Sequence, residues 1–208
     1  DRLPTEGPAI LCPNHVSFLD SAFLMLSVPR RISFVGKAEY MDSWKTKFLF
    51  PAMGMIPIDR SGGEKSQAAL DAAEAVLQRG ELFGIFPEGT RASDAKRARA
   101  LERIGGSDPD RAQRLAGLQH LIPPRPAGSR ALISGAAGAE VVLAWHTGFD
   151  GLDTFGGILR ALGRARTPVR ICFERVGSVP TAPDEFADWL DAAWLRMDHA
   201  VAADLTEL

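Results

Sequence analysis

The sequence is poor in cysteine and has no long apolar stretch. Cys12 and Cys172 are the only two cysteines among 208 residues, and both lie within short apolar runs. This excludes a disulfide-rich scaffold and is typical of buried free thiols in a reducing compartment. No run of about 18 apolar residues occurs, so the sequence predicts no membrane-spanning helix. It also shows no signal peptide.

The sequence has neither a large excess of charge of one sign nor histidines at the spacing of metal ligands. The net charge is -2 with 24% charged residues, so the composition gives no reason to expect nucleic acid as a partner. The four histidines lack the spacing of metal ligands, and we expect neither a metal nor a cofactor. No G-x-S-x-G segment is present, so a nucleophile elbow is not expected.

The apolar content, by contrast, is high enough for one complete core. At 46% apolar residues, the chain can form one domain over residues 1–208 but not two large ones. The chain begins at Asp1, without methionine, and soon reaches its most informative motif. We therefore expect that a further segment precedes it.

Short apolar runs alternate with helical patterns along the chain. The runs have strand length, and most are continuously apolar, as in strands covered on both faces. They are Ala9–Cys12, Ile32–Val35, Met55–Ile58, Leu82–Phe86, Val141–Trp145 and Val169–Phe173. Helices are predicted at 17–27, 66–79 and 183–203 from apolar residues that recur on one face. The sequence thus predicts an α/β domain with a mostly parallel sheet and helices on both faces.

A stretch rich in Arg, Gly and Pro, at about 92–129, is predicted to be an insertion that leaves the sheet. Short helices are expected within it at 92–103 and 110–117. Its basic residues could approach anionic lipid head groups, although interspersed acidic residues also fit a solvated helix face.

The first chemical pattern is His15 followed by Asp20, directly after the first predicted strand. A histidine there lies at the carboxyl edge of the sheet, where α/β folds bind ligands. With His15 in the loop and Asp20 in the first helical turn, the carboxylate can reach back to the ring and fix its tautomer. The other ring nitrogen is then available as a general base. Alternatively, Asp20 only caps its helix together with Ser17.

A second pattern follows the strand at Leu82–Phe86, which breaks directly into Pro87-Glu88-Gly89-Thr90-Arg91. An acid and an arginine in this position are typical of an α/β site. Gly89 permits close backbone approach to a ligand, and the planar fork of Arg91 suits a phosphate. A simple surface pair of Glu88 and Arg91 is the alternative interpretation.

Two further cations follow strand ends. Lys37 follows the strand at 32–35, and Arg60 follows the strand at 55–58. Together with Arg91 they place three cations beside a candidate base, which favours an anionic substrate such as a phosphate. Asp59 could instead neutralise Arg60.

These segments resemble the motifs of the glycerolipid acyltransferase family, which includes the 1-acylglycerol-3-phosphate acyltransferases. The N-H-x-S-x-x-D motif is present from Asn14 to Asp20, the G-x-I-P-I-D-R-like motif from Gly54 to Arg60, and F-P-E-G-T-R from Phe86 to Arg91. A fourth apolar motif is represented by 141–146, here without its usual proline, and His146 is given no catalytic role. Residues 118–125 are similar to the branch with eukaryotic-type lysophosphatidate and lysocardiolipin enzymes.

The resemblance implies a reaction and a role for each matched residue. His15 would be the general base and Asp20 its orienting partner. The substrate-binding residues would be Lys37, Arg60, Glu88, Gly89 and Arg91. The enzyme would move a fatty acyl group from acyl-CoA, or from an acyl carrier protein, to the free hydroxyl of 1-acylglycerol 3-phosphate, giving phosphatidate. A backbone amide near the first motif is a candidate donor to the oxyanion.

Three alternatives stay open at this point. The acceptor could be another lysophospholipid or glycerol 3-phosphate, the domain could bind lipid or acyl carrier without catalysis, or Ser17 could serve a lipid hydrolase. A lipid substrate implies contact with a membrane surface, and we expect a membrane-associated protein on the cytoplasmic face. The aromatic and basic residues of 44–50 could lie at that interface or belong to a half-buried amphipathic helix.

Overall fold

The apolar runs form six strands of one sheet. They are β1 (Ala9–Pro13), β2 (Ile32–Lys37), β3 (Met55–Ile58), β4 (Leu82–Gly84), β5 (Glu140–Thr147) and β6 (Arg170–Val176). The computed structural model describes residues 3–17, 19–37, 54–58, 65–136, 138–149, 152, 156–157, 160 and 168–207.

The strand order in the sheet is β3-β2-β4-β1-β5-β6. All neighbouring pairs are parallel except β5 and β6, which run antiparallel. The carboxyl ends of β1 and β4 therefore lie side by side in the middle of the sheet. This is the edge where α/β folds carry their sites.

Six helices are described around the sheet. They are α1 (Asp20–Ser27), α2 (Lys65–Gln78), α3 (Asp94–Gly105), α4 (Pro109–Leu115), α5 (Pro126–Gly135) and α6 (Pro183–Thr206). None of the helices in the described part of the chain is both long and apolar enough to cross a membrane.

Apolar side chains cover both faces of the sheet, because successive strand residues point to opposite sides. In β1, Ile10 and Cys12 belong to one cluster, together with buried residues of α2 and α6. Ala9 and Leu11 belong to the other, together with Leu24 of α1. The predicted α/β fold with a mostly parallel sheet and helices on both faces is therefore confirmed.

Two expectations about local structure need correction. Helix α1 begins at Asp20 rather than at 17, because the chain before it is held in a turn by the Asp20 side chain. Helix α5 was not predicted, since Pro126 stands at its start, where a missing N–H is tolerated.

Of the two free cysteines, Cys12 is buried and Cys172 only half-buried. Burial raises the pKa of the Cys12 thiol to about 12.

The range of about 92–129 contains α3, α4 and the start of α5. Its description as an insertion stays a prediction. The aromatic and basic segment at 44–50 lies outside the described residues, so the expectation of an interfacial segment there is not addressed.

Candidate active site

The loop after β1 is fixed to β5 by the side chain of Asn14. Its amide donates to the carbonyl oxygen of His146 at 3.2 Å, and its side-chain oxygen accepts the His146 N–H at 3.0 Å. The Asn14 side chain thus makes the pair of hydrogen bonds that a strand backbone would make. The first residue of the loop is anchored, and the position of His15 follows from it.

His15 and Asp20 are in direct contact. The distance from His15 Nδ1 to Asp20 Oδ2 is 2.8 Å, and the Asp20 side chain is fully buried while that of His15 is 20% exposed. A carboxylate in this position accepts the proton of Nδ1 and leaves Nε2 as the ring's acceptor. The imidazole therefore has the tautomer and the solvent access that a general base requires.

Asp20 also accepts hydrogen bonds from the backbone of its own loop. Its carboxylate receives the N–H of Val16 at 2.7 Å and that of Ser17 at 2.9 and 3.0 Å. These bonds are not a helix cap, because the N-cap residue of α1 is Leu19 and Asp20 is the first residue of the helix. Asp20 therefore orients the ring and holds the turn before α1, which corrects the capping alternative. The Ser17 hydroxyl accepts from the Leu19 N–H and donates to the Leu152 carbonyl at 2.6 Å.

The imidazole of His15 packs against a stack of aromatic rings. The ring of His15 stacks on Phe86 with centroids 4.1 Å apart, and Phe86 stacks on Phe34 at 5.4 Å. Phe34 in turn covers Gly84, where any Cβ would lie only 2.0 Å from its ring. Gly84 is therefore required for this stack, on which the ring of His15 lies.

Glu88 is buried between the first and third motifs. Its Oε1 accepts the backbone N–H of His15 at 3.2 Å, and Oε2 accepts that of Ile122 at 3.4 Å. Burial raises the pKa of this carboxyl well above its usual range, and the two backbone N–H groups oppose the shift. Glu88 therefore joins three parts of the chain from the interior, which is not the surface pair with Arg91 considered above.

The turn after β4 returns to the first motif. Gly89 has φ +67°, a backbone conformation that glycine adopts without strain, and its N–H bonds to the Phe86 carbonyl. The N–H of Ala92 donates to the His15 carbonyl at 2.6 Å. Arg91, between them, is half-buried. The third motif is thus held against His15 by backbone as well as by Glu88.

The two other predicted cations are only partly addressed. Lys37 is the last residue of β2, a parallel neighbour of β4, so its backbone is at the same edge of the sheet. Its side chain is not described. Arg60 lies outside the described residues. The structure therefore brings together His15, Asp20, Glu88, Gly89 and Arg91 of the predicted set.

His146 is a neighbour of the site that sequence reasoning did not include. It is 1% exposed, and its Nε2 lies 3.6 Å from Asp20 Oδ1. Its ring meets Phe149 edge to face. The signals in the sequence were a histidine inside an otherwise apolar strand and its place in 141–146, the segment that represents the fourth motif. Within the described residues, no group of His, Cys, Asp and Glu is arranged to hold a metal ion.

Helix α6 holds the segment before α5 against the site. The carboxylate of Asp198, 1% exposed, accepts the N–H groups of Gln119, His120 and Leu121 at 2.9, 2.8 and 2.7 Å. Arg111 also binds Asp191 through two hydrogen bonds of 2.7 and 2.8 Å. These contacts position Ile122 beside Glu88, so residues far along the chain complete the environment of that carboxyl.

The fold and this site define an α/β domain with a buried-carboxylate and histidine pair at the carboxyl edge of a parallel sheet. A solved structure of the same fold is the 1-acyl-sn-glycerophosphate acyltransferase of Thermotoga maritima, with a TM-score of 0.61. The likeness covers 97% of this chain and 69% of that one at 20% sequence identity, and it shows the fold.

Sequence comparison then gives the family. A sequence model of the family described as acyltransferase matches residues 1–127, which is more than half of the chain. The protein belongs to this acyltransferase family, as its motifs predicted.

Two curated relatives are similar over shorter stretches. A chloroplastic 1-acyl-sn-glycerol-3-phosphate acyltransferase of Arabidopsis thaliana is 29% identical over 97 residues, covering 46% of this chain and 27% of the relative. The corresponding enzyme of Bacillus subtilis is 28% identical over 96 residues, covering 45% and 47%. In both cases, the similarity spans less than half of the relative's length.

Proposed function

We propose that this acyltransferase moves a fatty acyl group from acyl-CoA to the free hydroxyl of 1-acylglycerol 3-phosphate, giving phosphatidate. The observation that carries the proposal is the 2.8 Å contact of His15 with buried Asp20 at the edge where the family motifs meet. The names of the curated relatives support the same acceptor.

In the proposed mechanism, His15 is the general base and Asp20 its orienting partner. Nε2 of His15 takes the proton of the acceptor hydroxyl as its oxygen attacks the thioester carbonyl. The new C–O bond forms, the C–S bond breaks, and the imidazolium returns its proton to the leaving thiolate. Because a thiol has a pKa of about 8.5, the thiolate leaves more readily than an alkoxide would. Asp20 stabilises the imidazolium between these steps.

The expected oxyanion donor needs revision. The N–H groups of His15, Val16 and Ser17 all donate to side-chain carboxyl oxygens of Glu88 or Asp20. A backbone N–H already bonded to a buried carboxyl oxygen is not available to a developing oxyanion. These three amides of the first motif are therefore positioning groups in our account, and the oxyanion is stabilised from elsewhere in the site.

The acceptor phosphate is assigned to the cations at the same edge. We propose that Arg91, with Lys37 and Arg60, binds the phosphate, and that the turn at Gly89 leads the chain to Arg91 at this site. Glu88 contributes indirectly, since its buried carboxyl holds the His15 backbone at 3.2 Å. Because the lipid substrate resides in a bilayer, we further propose that the protein works at a membrane surface, on the cytoplasmic face. We also propose that acyl-CoA, rather than an acyl carrier protein, is the donor.

Hydrolysis through Ser17 is not favoured by the geometry. The Ser17 side chain is buried, and its hydroxyl donates to the Leu152 carbonyl at 2.6 Å. It has no hydrogen bond to an imidazole in the described part of the chain, which a serine nucleophile would need. A different phosphorylated acceptor, such as another lysophospholipid or glycerol 3-phosphate, would use the same base and the same cations.

The test is thiol release from oleoyl-CoA by the purified protein in detergent, with each candidate acceptor offered in turn. Release that requires 1-acylglycerol 3-phosphate, with phosphatidate as the product, would support the proposal. Release that requires another phosphorylated acceptor would change the proposed acceptor and leave the proposed acyl-transfer chemistry unchanged. Release without acceptor would indicate hydrolysis, and no release with any acceptor would contradict an acyl-CoA donor.

A further inference from the structure

The guanidinium of Arg125 lies directly over Gly89. A Cβ built on Gly89 would be 3.1 Å from Arg125 Nε and 3.2 Å from both Cδ and Cζ. These distances are tighter than ordinary van der Waals contact, so the arginine packs into the space that a side chain at 89 would need. Residues 36 positions apart in the sequence thus form one surface, next to the carboxyl that holds His15.

The backbone of Arg125 is held firmly in this position. Its N–H donates to the Pro87 carbonyl at 2.9 Å, immediately before Glu88. The preceding carbonyl, of Pro124, accepts from Arg111 at 2.9 Å, and Arg111 is itself bound to Asp191 of α6. Arg125 is also the N-cap residue of α5, the position directly before its first helical residue, Pro126. The arginine is therefore presented by a rigid part of the fold.

The charge on Arg125 is not balanced by a carboxylate within the described residues. The side chain is exposed, and no Asp or Glu of the described chain forms an ion pair with it. Glu88 directly precedes Gly89, the residue that Arg125 contacts, but its carboxyl points inward and accepts from the N–H groups of His15 and Ile122. A solvent-accessible guanidinium fixed over a glycine turn is suited to bind a phosphate through its planar fork.

We propose that Arg125 is a further substrate-binding residue, which contacts the phosphate of the acceptor across the Gly89 turn. The inference rests on the proposed function for the identity of the acceptor. It adds a cation from the segment 118–125, outside the motifs at 14–20, 54–60 and 86–91, and assigns a reason for glycine at 89 beyond its backbone angle. Because the contact is made to the phosphate and not to the reacting atoms, Arg125 strengthens acceptor binding without taking part in proton transfer.

The experiment compares Arg125→Ala, Arg125→Lys and the matched control Arg130→Ala. Arg130 lies in α5, which Arg125 caps, and its guanidinium donates to the Thr181 carbonyl instead. We expect Arg125→Ala to raise the KM for 1-acylglycerol 3-phosphate by about tenfold or more, the usual effect of losing a hydrogen bond to a charged group, while kcat changes by less than about threefold. Arg125→Lys should be intermediate, and Arg130→Ala should leave KM unchanged.

A phosphate-free acceptor and a binding measurement separate the possible outcomes. With monoacylglycerol, the KM should be the same in the wild-type protein and in Arg125→Ala. Calorimetric titration with glycerol 3-phosphate should show binding that weakens in Arg125→Ala, while thermal unfolding shows that the variant folds. Binding that depends on Arg125 without any acyl transfer would support the inference and contradict the proposed function. An unchanged KM, an equal rise in KM with monoacylglycerol, or no binding of glycerol 3-phosphate by the wild-type protein would overturn the inference.

Discussion

Replacing Asp20 by asparagine removes the charge behind His15 while leaving nearly the same shape. Oδ2 of Asp20 accepts from His15 Nδ1 at 2.8 Å, from Val16 N–H at 2.7 Å and from Ser17 N–H at 2.9 Å. An amide oxygen in that position keeps all three donors. The amide nitrogen then takes the place of Oδ1, where it faces the Ser17 N–H at 3.0 Å and His146 Nε2 at 3.6 Å.

The expected effect on turnover is much larger than the effect on folding. Losing the charge on three hydrogen bonds should lower the free energy of unfolding by about 1–3 kcal/mol, since charged hydrogen bonds contribute about that much. In the variant, the imidazolium formed during proton transfer no longer has the fully buried Asp20 carboxylate as its counterion. We therefore expect kcat/KM to fall by about 100- to 10,000-fold, which corresponds to roughly 3–5 kcal/mol.

The assay is a double-mutant cycle on phosphatidate formation from labelled acyl-CoA. The four proteins are wild type, Asp20→Asn, His15→Ala and the double variant. If Asp20 acts through His15, adding Asp20→Asn to His15→Ala should lower the residual rate by less than about threefold. An equal loss in both backgrounds would refute the assignment of Asp20 as the partner of His15, and near-normal turnover in Asp20→Asn would refute a role for its charge.

Three further predictions concern Glu88, Asp198 and Ser17. Because burial holds the pKa of Glu88 well above its value in the unfolded chain, the folded state retains a proton that the unfolded state loses, and the free energy of unfolding should decrease as pH rises from about 4.5 toward the folded pKa. In urea unfolding followed across pH, Glu88→Gln should remove that part of the decrease, which is at most about 1.4 kcal/mol per pH unit. Parallel stability curves for the two proteins would contradict this prediction. Asp198→Ala should lower the free energy of unfolding by roughly 3 kcal/mol or more, since three backbone N–H groups lose their acceptor. The control is Asp188→Ala at an exposed position of the same helix, which should change the free energy of unfolding by less than about 1 kcal/mol. Equal losses would show that the bonds to Asp198 contribute little. Ser17→Ala should keep acyl transfer within about tenfold of the wild-type rate, because the Ser17 hydroxyl donates to the Leu152 carbonyl and not to an imidazole of the described residues. Loss of all turnover in a folded Ser17→Ala protein would favour covalent catalysis.

The sheet was predictable because its strands are short apolar runs that alternate with helical patterns along the chain. Hydrophobic periodicity also identified α2 and α6, whose apolar faces are buried in the core. The pattern did not identify α5, since Pro126 and Gly128 are typical of loops, yet the proline occupies the first turn of the helix. The start of α1 was misplaced because the side chain of Asp20, not that of Ser17, organises the turn before it.

The site was predictable where its residues follow strand ends and less so elsewhere. His15, Asp20 and Glu88 follow β1 and β4, which are adjacent and parallel, so topology alone brings their backbones together. The burial of Glu88 could not be foreseen, because it depends on Ile122, which α6 holds in place through Asp198. The contact of Arg125 with Gly89 depends on the same long-range packing, and no local pattern in the sequence encodes it.

The most direct test of the account is thiol release from oleoyl-CoA in the presence of 1-acylglycerol 3-phosphate, measured for the wild-type protein and for His15→Ala. Circular dichroism and thermal unfolding would first show that both proteins fold alike. If His15 is the base, the wild-type protein should show acceptor-dependent release, and His15→Ala should lose at least about 100-fold in rate. Near-normal release by a folded His15→Ala protein would contradict the role of His15 as the base for acyl transfer.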